Sequence, residues 1–136
     1  MLDNVEVDSL IEAAKKAREL AYAPYSKFRV GAAVKSGSGK IYTGCNIENA
    51  SYGLTICAER VAVFNAISAG ETTISVVVIV AGDEEIARPC GACLQVISEF
   101  ASTYSDNPTL IIASSANGDY DIKTISDYLP MRFHLD

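Results

Sequence analysis

The 136-residue sequence has little positive charge, a single histidine and no long apolar run. Lys and Arg number 11 against 17 Asp and Glu, and the resulting net charge of −6 makes a poor non-specific ligand for nucleic acid or an anionic membrane. The longest apolar stretches, such as Ile74 to Gly82, fall far short of the roughly 20 residues that a membrane-spanning helix needs. The segment Met1 to Glu6 shows neither a basic n-region nor an apolar h-region, which predicts a cytoplasmic protein. Repeats, low-complexity tracts and charge blocks are absent, and the length predicts one domain over residues 1–136. His134, close to the end, is not required as a ligand by anything around it. Without an export signal the four cysteines, Cys45, Cys57, Cys90 and Cys93, are expected to be reduced, metal-bound or catalytic rather than paired.

Periodicity divides the chain into alternating elements. Leu10, Ala13, Ala14, Ala17, Leu20 and Ala21 recur at helical spacing over Ser9 to Tyr22, with Ser9 and Glu12 as a capping box and Pro24 as the stop. Phe28, Val30, Ala32 and Val34 alternate as one face of a strand, and Gly37-Ser38-Gly39 turns the chain into a second strand over Ile41 to Asn46. A helix is expected over Cys57 to Ala69, capped by Gly70, and a doubly covered central strand over Ile74 to Val80. A helix over Cys90 to Ser102, strands over Thr109 to Ala113 and Tyr120 to Ile125, and a short helical piece at Ser126 to Leu129 complete the order. A hairpin followed by strands alternating with helices implies an α/β protein, a three-layer α/β/α sandwich around a mixed five-stranded sheet.

The chemistry concentrates at two predicted helix starts. Cys57-Ala58-Glu59-Arg60 opens one and Pro89-Cys90-Gly91-Ala92-Cys93 the other. Two cysteines separated by two residues at a helix start can turn toward one point, and a third thiolate from a neighbouring start could meet them. Three ligands leave the fourth tetrahedral position of Zn²⁺ open to water, as in a catalytic site. The partial positive charge of a helix N-terminus favours the thiolate form. Glu59 falls within reach of water at that open position and suits proton transfer. Other readings of these cysteines are a closed four-cysteine structural zinc that recruits Cys45, and a redox pair at Cys90 and Cys93 that leaves Cys57 and Glu59 without a role.

Beyond the cysteines, the chain resembles the small, three-cysteine, homotetrameric cytidine deaminases over nearly its whole length. The motifs that carry the resemblance are Ala23-Pro24-Tyr25-Ser26-Lys27-Phe28, Val30-Gly31-Ala32-Ala33, Gly44-Cys45-Asn46-Ile47-Glu48-Asn49-Ala50, the two cysteine motifs and Leu129-Pro130. The resemblance implies the cytidine deaminase-like fold and one zinc per subunit on Cys57, Cys90 and Cys93, with Glu59 shuttling protons to N3 of the pyrimidine and to the departing amine. It implies that the Ala58 amide binds the O2 carbonyl, that Phe28 packs on the base, and that Asn46 and Glu48 hold the ribose 3′-hydroxyl. Ala50, Tyr52 and Phe133 are implied to complete a neighbouring subunit's site, and the activity to be deamination of cytidine and 2′-deoxycytidine to uridine and 2′-deoxyuridine, a pyrimidine salvage reaction. The partners would then be a small nucleoside and further copies of the chain, with no nucleic acid and no membrane.

A further role follows from charge. Three thiolates give the zinc site a formal charge of −1, and Arg60 is expected to donate hydrogen bonds to sulfur and draw that charge off. Relatives usually carry arginine directly after the second cysteine of the pair. Leu94 stands there in this sequence, so that positive charge is missing. Relatives with the same zinc core that act on aminopyrimidine antibiotics of the blasticidin type lack the Asn-x-Glu pair that Asn46 and Glu48 form.

Overall fold

A computed structural model describes residues 2–135, which leaves Met1 and Asp136, the outermost residues of the expected domain, outside the description. The elements are α1 (Asn4–Arg18), β1 (Gly31–Ser36), β2 (Ile41–Cys45), α2 (Ala58–Ser68), β3 (Ile74–Val80), α3 (Gly91–Glu99), β4 (Leu110–Ser114), β5 (Tyr120–Thr124) and α4 (Ile125–Tyr128). A single 3-10 turn, Tyr52–Leu54, lies between β2 and α2. The sheet runs β2-β1-β3-β4-β5. Its one parallel pair is β3 with β4, and the other three are antiparallel. The expected mixed five-stranded sheet is therefore present.

The strand pleat separates two cores. Val77 and Ile79 of β3 join Ala32 and Val34 of β1 in a cluster with Ala62, Val63 and Ala66 of α2 and Ile97 of α3. Val76, Val78 and Val80, on the opposite pleat face, pack with Ala33 of β1 against Val7, Leu10, Ile11 and Ala14 of α1. Two buried faces explain why Ile74–Val80 carries almost no polar residue. Helices lie on both sides, which makes the three expected layers.

One close approach sets the spacing of these layers. A Cβ at Gly31 would fall 2.0 Å from the Ala14 carbonyl oxygen and 2.5 Å from the Arg18 amide nitrogen. Any side chain there would push α1 off the sheet, so the first residue of β1 has to be glycine.

Several boundaries differ from the sequence expectation. Helix α1 starts after Asp3, whose carboxylate accepts from the Glu6 amide at 2.8 Å, so Ser9 is not the cap and sits exposed in mid-helix. The helix ends at Arg18, and Leu20, expected on its apolar face, is 79% exposed. The chain turns early because residue 22 pairs with the segment after β2: the Tyr22 amide donates to the Asn46 carbonyl at 3.0 Å, and the Glu48 amide to the Tyr22 carbonyl at 2.8 Å. Strand β1 begins at Gly31 rather than Phe28, and α3 stops at Glu99 rather than Ser102. The Phe100 carbonyl accepts from the Ile74 amide at 2.9 Å, an interaction that starts β3 at the expense of another helical turn.

Candidate active site

The sheet faces α2 and α3 so that both helix starts open on one cleft. Cys57 is the N-cap of α2 and Cys90 the N-cap of α3, each in extended backbone conformation. Cys93 follows one turn into α3 and is fully buried. The Sγ atoms of Cys57, Cys90 and Cys93 lie within 4.8 Å of one another. Cys45, on β2, stands outside this group, and burial pushes its thiol up. Among the described residues the cluster thus holds three sulfurs, and the four-cysteine reading loses its fourth ligand.

The sulfurs differ in their electrostatics. A hydrogen bond from Cys93, helped by the Arg60 guanidinium, outweighs burial and brings Cys57 down to about 5. The Cys93 thiol is pushed up by the same contact and by burial. Arg60 Nη2 donates to Cys57 Sγ at 3.4 Å, and its Nε is buried with no partner among the described residues. Glu59 is only 5% exposed. Burial raises its carboxyl above the usual range, and the Cys57 charge adds to the effect.

A cleft of about 260 Å³ joins this cluster to the residues expected to bind a nucleoside. Phe28, Asn46, Glu48, Cys57, Ala58, Glu59 and Cys90 all line it. Phe28 is half-exposed there rather than in the core, presented by a loop in which Lys27 holds a left-handed φ of 62°. The Asn46 side chain donates to the Phe28 carbonyl and accepts from the Val30 amide, both at 2.8 Å. Glu48 accepts from the Tyr25 and Ser26 amides at 3.0 and 3.1 Å and from the Ser26 hydroxyl. The Ser26 bonds hold its carboxylate below the usual range.

Three expected residues are not in the cleft. Ala50 is exposed in a bend, Tyr52 is 79% exposed on the 3-10 turn, and Phe133 is 69% exposed, with its carbonyl accepting from Gln95 Nε2 at 3.1 Å. Leu94 belongs to the core between β3 and the helices. Two residues not singled out in the sequence also matter. Ser26 ties Glu48 to the Phe28 loop through its hydroxyl, which accepts from the Phe28 amide at 3.0 Å. Arg88 lines the cleft two residues before Cys90. Its place before Pro89-Cys90 was the available signal. A wider depression of about 610 Å³, around the β1–β2 turn, gathers no such cysteine cluster among the described residues.

The donor set fits zinc. Tetrahedral thiolates about 2.3 Å from the ion stand about 3.8 Å apart, inside the spread of these sulfurs. Metal-dependent hydrolysis also needs a coordination position left for water and a base next to it, and the cleft beside Glu59 offers both.

Comparison with known proteins agrees. Residues 5–104 match the family described as "Cytidine and deoxycytidylate deaminase zinc-binding region". A cytidine deaminase of Sporosarcina psychrophila is 45% identical over 129 residues, 95% of this chain and 92% of its own. A cytidine deaminase of Halalkalibacterium halodurans is 44% identical over 124 residues, 91% of each chain. The solved structure of the cytidine deaminase from Burkholderia pseudomallei superposes with a TM-score of 0.84 at 44% identity, covering 93% of this chain and 98% of that one. The chain belongs to the cytidine and deoxycytidylate deaminase family, whose members bind zinc. No helix among the described residues is long and apolar enough to cross a membrane.

Proposed function

We propose that the protein hydrolyses cytidine and 2′-deoxycytidine to uridine and 2′-deoxyuridine, consuming one water and releasing one ammonia. The observation that carries this reading is the buried Glu59 carboxylate, in one cleft with Asn46, Glu48 and two sulfurs, Cys57 and Cys90, of the three-cysteine cluster. Cys57, Cys90 and Cys93 hold the zinc, which when bound brings the pKa of a coordinated water down toward roughly 7.

The chain's own groups do the rest. Glu59 takes a proton from water, gives it to N3 of the pyrimidine as C4 is attacked, and carries a second proton to the amino group as ammonia leaves. Its burial suits a group that must both accept and return protons near neutral pH. The Ala58 amide, in the first turn of α2, donates to O2, and Phe28 covers the base. Asn46 keeps one N–H beyond its bond to the Phe28 carbonyl, and Glu48 retains acceptor capacity, for the sugar hydroxyl. The acidic chain and the absence of a basic cluster favour a free nucleoside over a nucleotide or nucleic acid. An ultraviolet assay of cytidine loss with zinc analysis on the same sample tests the proposal. A zinc-loaded, folded protein inert toward cytidine would overturn it.

Arg60 tunes the cluster. Arg60→Ala is expected to lower turnover by about 10- to 100-fold while leaving the unfolding midpoint of the zinc-loaded protein nearly unchanged. Near-wild-type turnover would refute the role.

The same reading covers assembly and location. The chain acts as one unit over residues 1–136, in the cytoplasm, as a homotetramer whose sites borrow Ala50, Tyr52 and Phe133 from neighbours. Its support is the exposed apolar side chains of Ile47, Tyr52, Leu54, Phe64 and Phe133. Sedimentation of the active protein should give a tetramer, and a fully active monomer would exclude the shared site.

A further inference from the structure

The segment from Gly82 to Cys90 delivers one sulfur of the cluster, and it is fastened to the sheet at two places. At its start the Ala116 amide donates to the Gly82 carbonyl at 2.8 Å, and the Asn117 amide to the Asp83 carbonyl at 3.0 Å. Both donors lie in the turn between β4 and β5. Near its end Arg88 Nη2 donates to Asp121 Oδ2 on β5. Pro89 follows, buried, and then Cys90, which begins α3.

The surroundings of Asp121 mark it as more than a surface partner. Its side chain is 28% exposed, and its second oxygen, Oδ1, is buried with no partner among the described residues. The Tyr128 hydroxyl at the end of α4 is buried and unpartnered in the same sense. Burial pushes that phenol up, the Asp121 charge adds to the rise and Arg88 opposes it, so the three groups sit together. A half-buried carboxylate beside a buried phenol needs a counter-charge, and the Arg88 guanidinium is the one it has in contact. Arg88 also lines the cleft with Cys90.

We propose that Arg88 is a positioning residue for the metal site: clamped to Asp121, it holds the 82–90 segment so that Cys90 meets Cys57 and Cys93. The inference rests on the three-cysteine assignment above. Cys90 is the most exposed of the three sulfur-bearing residues. Cys57, an N-cap like Cys90, follows Ile56, whose amide and carbonyl both pair with Ile47 at 3.0 Å, and Cys93 is fully buried inside α3. Fixing the approach to Cys90 before the ion binds means that the ion does not have to order the loop itself, and release by way of Cys90 becomes slower. Asp121 does not line the cleft, so any effect of changing it on the metal must travel through Arg88.

The test is zinc transfer from the holoenzyme to a chromogenic chelator. Arg88→Ala and Asp121→Ala should each speed transfer by about tenfold, the lower end of what partners behind metal ligands contribute. The double variant should be no faster than the faster single one, because the two changes break one link. Arg88→Lys, which keeps the charge and one hydrogen bond, should fall between. With zinc in excess, the unfolding midpoint of each variant, and the turnover number of the Asp121 variants, whose residue lies outside the cleft, should stay close to those of the unaltered protein, which separates positioning of the ligand from general loosening. If either alanine variant does not fold, Asp121→Asn removes the charge at constant shape and carries the test. Release within about twofold of wild type in both single variants, or effects that multiply in the double, would overturn the clamp. Cys90→Ala distinguishes the two levels of argument. Wild-type metal retention in that variant would remove Cys90 as a ligand, whereas lost metal there with unchanged Arg88 and Asp121 variants would leave the ligands standing and remove only the clamp.

Discussion

Glu59→Gln should keep the metal and lose turnover by at least about 10²- to 10⁴-fold, the range for a single acid–base group. Glu59 is asked to move two protons, so the loss belongs at the upper end or beyond. The substitution preserves the shape of a side chain only 5% exposed and leaves the three sulfurs in place, so the protein should stay zinc-loaded. Nucleoside affinity should change far less than turnover, because the proposed sugar contacts belong to Asn46 and Glu48, which line the same cleft. Steady-state kinetics with metal analysis on the same preparation settles the matter. A variant that retains a tenth of the activity would end the proton-shuttle role.

Cys93→Ala should empty the site. The residue is fully buried and is one of the three sulfurs of the cluster, so its loss leaves two ligands for the ion. Metal content after dialysis should fall below about a tenth of wild type, and turnover by on the order of 10³-fold or more, since water at neutral pH is then no longer activated. Zinc that binds the folded state alone stabilises it by mass action, so the variant should melt near the temperature of the chelator-treated protein. Cys45→Ala is the matched control and should keep its zinc. If it loses the ion while Cys93→Ala keeps it, the ligand set is wrong.

The sheet was legible because its residues obey the pleat. Ile74–Val80 is bounded as expected, since a run of β-branched residues buried on both faces has no other stable place in a small α/β domain. The ends of helices were harder. Ser9 and Glu12 have the spacing of a capping box and yet lie within α1, because exposed helix faces contain the same residues as caps. What ends α1 and α3 is tertiary: Tyr22 pairs with Asn46 and Glu48, and Phe100 with Ile74. No local pattern reports partners that distant.

The site divides in the same way. Cysteines two residues apart at a helix start carry their geometry in their spacing, and the structure brings Cys57, Cys90 and Cys93 together. Phe28 alternates with Val30 and Ala32 as core residues do, and only the left-handed turn at Lys27 separates it from them and sets it in the cleft. Leu94 looked like a missing charge. In the structure it fills the core, while Arg60 reaches Cys57 and Arg88 borders the cleft from another direction.

Asn46 uses its amide as a stretch of main chain would, giving one hydrogen bond to the Phe28 carbonyl and taking another from Val30. The backbone leading into the first strand is thereby stitched to the end of the second by a side chain that also lines the cleft. Selection cannot therefore retune sugar preference at this position freely. Aspartate would lose the donor, and leucine or alanine both bonds, so each trial of a new substrate would unpick the seam that holds the aromatic wall of the pocket upright. Variation in ligand choice should accordingly be found at Glu48 or on the Phe28 loop before it is found at Asn46.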